Sequence, residues 1–332
     1  MKAMPLLEVD DLVVHFPARG AGPLGLRRRS VKAVNGVSLT LQAGETLGIV
    51  GESGSGKSTL GRAILGLGPI TSGHVSLSGE EVAGPGRAAA ARLHRETAMV
   101  FQDPFNALNP LMTVGQTLAE VLHVHGRLPR GSAADAVVAL MLRVGLRPEF
   151  ASRRPSALSG GECQRVGIAR ALAVEPRLIV ADECVAALDV SIQGQIINLF
   201  IEMKERRDLA LIFIAHDLSL VRRLCDRVAV MYLGRLVEEG PIERIFRAPR
   251  HPYTMALLRA MPKLDPDDRL PDDALRGEPP SPLDLPSGCP FHPRCPVAQA
   301  RCAEDPAPPL RREGGHGWAC VLDPPDLIRT GA

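Results

Sequence analysis

The fold of this 332-residue chain is decided by the stretch Gly51-Glu52-Ser53-Gly54-Ser55-Gly56-Lys57-Ser58-Thr59. It fits the phosphate-loop pattern G-x-x-x-x-G-K-[ST]. The apolar run at residues 46–50 precedes it and predicts a buried strand, and residues 60–67 come after it with helical spacing. Strand, loop and helix in this order are the context that the motif requires, so we predict a nucleotide site rather than a Gly-Ser turn capping a helix.

The residue types of the loop suit a triphosphate. Glycines let backbone N–H groups turn toward phosphate oxygens, and the following helix adds its positive end. Lys57 would reach the β- and γ-phosphates, and Ser58 would offer its hydroxyl to Mg²⁺. We therefore assign nucleotide binding to Gly51, Ser53, Gly54, Ser55, Gly56, Lys57, Ser58 and Thr59.

Composition limits the function classes. The net charge of +2 gives no global basic field, so nucleic acid is not an expected partner. No apolar stretch approaches the roughly 20 residues of a membrane span, and the first residues lack the apolar core of a signal peptide, so we expect a cytoplasmic chain. Four of the seven cysteines crowd into residues 289–320, and in a reducing compartment they point to a metal or a cluster.

The pattern of apolar residues predicts an α/β fold with a mostly parallel sheet. Strands are predicted at residues 6–16, 34–41, 75–78, 98–101, 178–181, 211–215 and 227–232, with a Gly-Pro-Arg loop between the first two. Helices are predicted at residues 113–125, 133–144, 162–174, 191–206 and 218–224. The two helices at 113–144 have no strand between them and indicate a helical insertion at about 103–158. After residue 262 the chain is rich in Pro and Asp, and its apolar residues show neither helical nor strand periodicity. We therefore expect this tail to need a cross-link, such as a bound metal, in order to fold.

A second motif ends a predicted strand with two carboxylates, Asp182 and Glu183. Many strands end in acids, but downstream of a phosphate loop the pair becomes specific. Asp182 can hold the Mg²⁺ that bridges the phosphates, and Glu183 can activate the attacking water. Hydrolysis, rather than transfer, is the reaction that such a water performs.

A third motif, Leu158-Ser159-Gly160-Gly161-Glu162, opens a helix. Ser159 can be a plain N-cap, but the glycines also present N–H groups and a helix end to an anion. One phosphate loop needs only one such surface. Ser159, Gly160 and Gly161 are therefore predicted to serve the nucleotide of a partner subunit in a head-to-tail dimer.

Together these motifs resemble those of the ATP-binding subunit of ABC transporters, from about residue 6 to the end of the chain. The resemblance implies a P-loop NTPase core, an N-terminal antiparallel β part, a helical subdomain and a small irregular C-terminal extension. It implies that Gln102 contacts Mg²⁺ and water and couples to membrane subunits, that Leu188-Asp189 crosses the dimer seam, and that His216 senses the γ-phosphate. Lys57, Gln102, Glu183 and His216 are then the catalytic residues, Ser58, Gln102 and Asp182 the Mg²⁺ ligands, and Phe16 the ring for adenine, although a core position for Phe16 stays open.

The chain departs from the family pattern at four positions. Glu162 and Cys163 stand where the family usually has Gln and Arg, and Cys184 and Ala186 stand where it has Pro and Ser. Glu162 would place a negative charge near the partner's γ-phosphate and weaken closure unless it points away. Ala186 removes a hydroxyl from the expected seam.

The tail resembles the C-terminal extension of oligopeptide, dipeptide and nickel importer ATPases, through Arg250-His251-Pro252-Tyr253-Thr254. We therefore divide the chain into a nucleotide-binding domain at 1–250 and an extension at 251–332. Cys289, Cys295, Cys302 and Cys320 suit an iron–sulfur cluster or zinc, and some members of the subgroup carry a [4Fe–4S] cluster there. Unligated thiols remain a third possibility.

The resemblance predicts an ATPase that drives import of peptides or related small solutes. It implies a peripheral position on the cytoplasmic face of the membrane, a second ATPase chain in a heterodimer, separate integral-membrane permease subunits and, indirectly, an extracytoplasmic solute-binding protein. Two alternatives are a soluble ABC ATPase acting on nucleic acid or in assembly, and a regulatory, iron-sensing subunit with weak hydrolysis.

Overall fold

The computed structural model describes residues 4–18, 29–85, 91–128, 133–206, 209–261 and 277–322. The strands there are β1 (Leu7–Ala18), β2 (Arg29–Leu41), β3 (Thr46–Val50), β4 (Ser72–Leu77), β5 (Glu80–Ala83), β6 (Thr97–Val100), β7 (Leu178–Asp182), β8 (Ala210–Ala215), β9 (Arg227–Tyr232), β10 (Arg235–Pro241), β11 (Arg311–Glu313) and β12 (His316–Trp318). The α-helices are α1 (Lys57–Ile64), α2 (Ala91–Glu96), α3 (Val114–Val124), α4 (Ala133–Arg143), α5 (Gly160–Ala173), α6 (Val190–Arg206), α7 (Leu218–Leu224), α8 (Ile242–Arg247) and α9 (Pro252–Arg259).

An eight-stranded sheet carries the fold, in the order β11-β12-β10-β9-β3-β8-β7-β6. Its five strands from β9 to β6 are parallel, and the three at the other edge are antiparallel. Every residue of β3, β7 and β8 is buried, as expected of parallel strands covered on both faces. Val50 pairs with Ala215, and Asp182 pairs with Ile214. The carboxyl ends of these strands therefore meet at one edge of the sheet, and the predicted mostly parallel α/β sheet is confirmed.

A smaller antiparallel sheet, in the order β2-β1-β4-β5, shares a hydrophobic core with β3 and α1. The sequence placed the first two strands at 6–16 and 34–41, and both are longer. Phe16 pairs with Val31 and Ala18 with Arg29, so the ladder of backbone hydrogen bonds continues where the side-chain pattern no longer alternates. The predicted loop is correspondingly shorter, and residues 19–28 lie outside the described residues.

The predicted helical insertion corresponds to α3 and α4, which pack with α5 in a second hydrophobic cluster. Thr113 caps α3 in a reciprocal capping box with Gln116, which explains why the helix begins there. Residues 129–132 of the insertion lie outside the described residues. The insertion sits between β6 and β7 in sequence, beside the edge of the sheet where the motifs meet.

The C-terminal extension is more ordered than its composition indicated, although residues 262–276 and 323–332 lie outside the described part. β12 pairs with β10 through Glu238↔Trp318, so a hairpin of the extension adds two strands to the main sheet. The fully buried Glu238 accepts hydrogen bonds from the backbone N–H groups of Arg250 and His251, and its Oε1 is 2.7 Å from Nε2 of the equally buried His316. Strand pairing and these polar contacts hold the extension on the core.

Candidate nucleotide site

The phosphate loop comes directly after β3 and has the backbone that only glycine allows at two points. Gly51 has φ 155° and Gly56 has φ 100°. A Cβ atom on Gly56 would lie 2.0 Å from the carbonyl oxygen of Ala33, and one on Gly51 would lie 2.1 Å from that of Met231. The loop is therefore packed closely against neighbouring backbone, and neither position has room for a side chain.

Lys57, the first residue of α1, points back into this loop. Its Nζ donates to the carbonyl oxygens of Gly51 and Glu52, each at 2.9 Å, and lies 3.7 Å from Oε1 of Glu183. Burial lowers the pKa of Lys57, while the carboxylates of Glu183 and Asp182 oppose that shift. The ammonium group of Lys57, whose side chain is 3% exposed, therefore lies at the centre of the loop.

Two oxygen donors that suit Mg²⁺ lie side by side. Ser58 Oγ donates to Oδ1 of Asp182 at 2.7 Å, and Arg62 approaches the other carboxylate oxygen at 4.0 Å. Burial raises the pKa of Asp182, and the hydrogen bond from Ser58 opposes this effect. In the described part of the chain, the buried Ser55 Oγ has no hydrogen-bond partner. Hard oxygen donors and an orphaned hydroxyl in the loop fit a magnesium–phosphate ligand.

Glu183 stands at the end of β7 in a left-handed conformation, with φ 43°. Its backbone N–H donates to the carbonyl of Ile214, which fixes this conformation against β8. Gln102 Nε2 donates to Oε2 of Glu183 at 2.9 Å. His216 is exposed directly after β8, at the same edge of the sheet. The structure therefore brings Lys57, Gln102 and Glu183 together, with His216 on the neighbouring strand end.

The motif at 158–162 begins α5 with a reciprocal capping box. Glu162 accepts from Ser159 through its backbone N–H at 2.7 Å and through its hydroxyl at 2.9 Å, and Ser159 Oγ accepts from the N–H of Glu162. The Ser159 backbone bond is the main reason that the pKa of Glu162 lies below its ordinary value. The carboxylate that departs from the family pattern is thus turned back onto its own helix terminus. The same carboxylate accepts the hydrogen bond that the Ser159 hydroxyl donates, so this hydroxyl already has a partner within its own chain.

Three further predicted positions lie near this edge or in the small sheet. Phe16, on β1, is 37% exposed, so it is not a core side chain. Cys184 is buried, and burial raises its pKa to about 12, so it is a packed thiol. Asp189 binds Ser191 Oγ at 2.7 Å and the N–H of Ile192 at 3.0 Å, which caps the start of α6.

The sequence reasoning missed one set of contacts on the loop. Glu52 forms a two-point ion pair with Arg294 of the extension, and its N–H donates to Tyr253 Oη. Both partners are more than 200 positions away in sequence, and an arginine in a Pro-rich tail has no local pattern that marks it. Glu52 alone, as a carboxylate inside a phosphate loop, was a signal that a cation must lie nearby.

The four cysteines of the extension line one small cavity, together with Pro252, Phe291, Val321 and Leu322. Burial raises the pKa of Cys289 to about 11 and that of Cys295 to about 12. Yet within the described ranges no three His, Cys, Asp or Glu side chains are arranged to hold a metal ion. The thiols surround a common space without converging on one point.

Comparison with known proteins agrees with this geometry. The ABC transporter family model matches residues 34–186, and the model of the oligopeptide/dipeptide transporter C-terminal region matches residues 237–302. The chain is 47% identical to the oligopeptide transport ATP-binding protein OppF of Escherichia coli, over 96% of this chain and 97% of that protein. It is 45% identical to the di/tripeptide transport ATP-binding protein DppF of Pseudomonas aeruginosa, over 95% and 97%.

Solved structures give the same assignment. The chain matches cbiO1 from Clostridium perfringens, part of an ABC transporter complex, with a TM-score of 0.62 and 28% identity over 74% of this chain and 91% of that one. It matches a dimeric ATP-binding cassette in a post-hydrolysis state, bound to ADP and Pi, with a TM-score of 0.61 and 27% identity over 71% and 98%. None of the described helices is long and apolar enough to cross a membrane. The chain belongs to the ABC transporter family, as an ATP-hydrolysing ATP-binding subunit that carries the C-terminal region of the oligopeptide/dipeptide transporters.

Proposed function

We propose that this chain is the ATPase subunit that drives an importer of peptides or related small solutes. The observation that carries the proposal is the contact set of Glu183, which meets Gln102 at 2.9 Å and Lys57 at 3.7 Å at the carboxyl edge of the sheet. The relatives OppF and DppF are oligopeptide and di/tripeptide transport proteins, and this supports peptides as the solute class.

Each residue of the site has a defined part in hydrolysis. Lys57 binds the β- and γ-phosphates. Ser58, Asp182 and Gln102 would hold Mg²⁺, which would neutralise negative charge on the β- and γ-phosphates as ADP leaves. Glu183 takes the proton of the attacking water, Gln102 orients that water, and His216 contacts the γ-phosphate. Phe16, exposed on β1, stacks on the adenine ring.

The site is half of a shared one in this proposal. Ser159 makes its side-chain hydrogen bonds with Glu162 at the start of α5, and Gly160 and Gly161 are the next residues there. These three residues bind the γ-phosphate held by a second ATPase chain, and closure of the dimer sandwiches two nucleotides. A related cassette was solved as a dimer in a post-hydrolysis state, which supports this arrangement. We expect the second chain to be a different ATPase, giving a heterodimer.

The membrane partners dock beside Gln102. A groove between α3, β6 and α5 lies next to Gln102, since Phe101 is part of its lining. Leu67 and Val121 are further apolar side chains of the groove, and Arg170 contributes a positive charge. Permease subunits bound at this groove would place the chain on the cytoplasmic face of the membrane, and an extracytoplasmic binding protein would deliver the solute to them. Nucleic acid is not among the expected partners, since the net charge is only +2.

For the extension we propose a [4Fe–4S] cluster held by Cys289, Cys295, Cys302 and Cys320. The support for this proposal is that the four cysteines line one cavity of the extension and that soft sulfur ligands suit such a cluster. Iron and acid-labile sulfide are measured after anaerobic purification. About four of each per chain support the cluster, whereas zinc without iron, or no metal, contradicts it.

The transport assignment is tested with permease subunits present. We expect the chain to pellet and co-purify with them, and peptide-stimulated phosphate release in proteoliposomes to vanish in Glu183→Gln. A chain that never pellets with permeases contradicts the transporter assignment. The engaged Ser159 hydroxyl favours the regulatory subunit as the second candidate, and equal, negligible rates for wild type and Glu183→Gln would support it.

A further inference from the structure

Glu52, the second residue of the phosphate loop, is held from three directions. Its backbone N–H donates to Tyr253 Oη at 2.9 Å, and its backbone carbonyl accepts from Lys57 Nζ at 2.9 Å. Its carboxylate takes both arms of the Arg294 guanidinium, at 2.7 and 3.0 Å. Two of these three contacts come from the C-terminal extension. The conformation of one loop residue is therefore set by a segment distant in sequence.

Arg294 is itself fixed by its surroundings. Its side chain is 5% exposed, it lies over the ring of Tyr232 with 5.9 Å to the centroid, and its Nη1 is 3.4 Å from Tyr232 Oη. Tyr232, Tyr253 and Phe291 form an aromatic layer with ring centroids 4.6 to 5.4 Å apart. Because the guanidinium of Arg294 is buried and stacked, its orientation is fixed. It therefore fixes the orientation of the Glu52 carboxylate as well as neutralising its charge.

The charge of this pair matters because of where it lies. A carboxylate in the loop that cradles phosphates would repel them, and Glu52 is only 24% exposed, so water screens it incompletely. The two-point pair with Arg294 neutralises that carboxylate and turns it toward the extension. The backbone N–H of Glu52 donates to Tyr253, and this bond keeps the Glu52 carbonyl in place for its contact with Lys57.

We propose that Arg294 and Tyr253 are positioning residues for ATP, holding the phosphate loop in its binding conformation through Glu52. The inference rests on the proposed nucleotide site, and it adds that the extension contributes to ATP affinity. It assigns the effect to nucleotide binding rather than to the chemical step, because both side chains contact Glu52, which is not one of the groups assigned to the reaction.

The test measures the dissociation constant of a fluorescent ATP analogue in the full chain, and KM and kcat for ATP in the reconstituted transporter. Arg294→Gln should raise the dissociation constant and KM about tenfold, with kcat changed less than about twofold. Tyr253→Phe, which keeps the ring, should raise them a few-fold. Glu52→Gln in the Arg294→Gln background should restore most of the affinity, because it removes the uncompensated charge.

The matched control is Arg312→Gln. Arg312 also joins the extension to the core by an ion pair, with Glu239 at 2.7 Å, and this partner is on β10 rather than in the phosphate loop. Equal affinities for Arg294→Gln and Arg312→Gln would overturn the inference. So would an Arg294→Gln defect that Glu52→Gln leaves unrelieved.

Two further variants separate other causes. Lys57→Ala must abolish nucleotide binding; if it does not, the nucleotide site itself is misassigned and not merely its positioning. Arg294→Lys keeps the charge but loses the two-point geometry, so it protects the test against misfolding of Arg294→Gln. An intermediate dissociation constant for Arg294→Lys supports the inference, and a wild-type value contradicts it.

Discussion

The buried pair of Glu238 and His316 allows a prediction whose magnitude can be worked from the structure. His316→Ala removes the 2.7 Å bond to a carboxylate that is completely inaccessible to solvent, which costs about 2–3 kcal/mol. The lost imidazole leaves a cavity, worth about 1–2 kcal/mol. Among the described residues Nδ1 of His316 has no partner, so its removal returns about 1 kcal/mol. The net loss is about 2–4 kcal/mol, which for a chain of 332 residues corresponds to a Tm lowered by roughly 3–6 °C.

The assay uses Trp318, the single tryptophan of the chain, as a probe of the same hairpin. Its side chain is buried, and its ring lies 5.8 Å from that of His316, between centroids. We expect the emission of Trp318 to shift to the red in His316→Ala, with the midpoint of thermal unfolding lowered.

Arg244→Gln is the control for this measurement. It removes an exposed bond to the carbonyl of Gly314 in the same hairpin and should change the Tm by less than about 2 °C. A wild-type midpoint and emission in His316→Ala would refute the view that this pair holds the extension on the core.

Three further predictions concern the nucleotide site. Glu183→Gln keeps the side-chain shape, so ATP should still bind while phosphate release falls at least about a hundredfold; an unchanged rate would exclude Glu183 as the base. Gly56→Ala places a Cβ 2.0 Å from the Ala33 carbonyl oxygen, so binding of the ATP analogue should be lost, and retained binding would show that the loop can relax. Glu162→Gln keeps a capping acceptor and removes a charge that is turned onto its own helix terminus, so KM for ATP should change by less than about twofold; a fall of several-fold would show that the charge opposes closure. Folding lowers the pKa of Glu162, so the ionised carboxylate stabilises the folded chain at pH values above the ordinary carboxyl pKa. This stabilisation is lost as the pH falls through the folded-state pKa of Glu162. The difference in Tm between the wild type and Glu162→Gln should therefore become smaller at low pH.

The parallel part of the sheet could be predicted from the sequence because its signals are local. β7 and β8 are unbroken apolar runs, and the strand at residues 227–232 was placed with its observed bounds. The phosphate loop fixes the connection from β3 to α1, and the shared edge of parallel strands then brings Asp182 and Glu183 to it. Local patterns and one topological rule suffice for this half of the site.

The rest depends on pairings between distant segments. The three-residue strand β12 has no period to detect, and it exists because β10 offers an open edge at Glu238 and Glu239. Whether Glu162 faces a partner's phosphate or its own helix terminus depends on a side-chain rotamer that spacing does not encode. For the same reason the partner of Glu52 could not be identified, because nothing in the sequence marks Arg294, 242 positions away, as the cation that this carboxylate needs.

That separation also bears on how the protein is made. A ribosome adding roughly 5–20 residues per second completes Glu52 tens of seconds before Arg294. For most of this interval the loop has its glycines and Lys57 but neither Tyr253 nor Arg294, and Arg294 is missing until its end, so the nascent cassette should hold ATP weakly. Tight nucleotide binding then marks a chain whose synthesis has passed Arg294, and prematurely terminated chains would be poor competitors for the nucleotide.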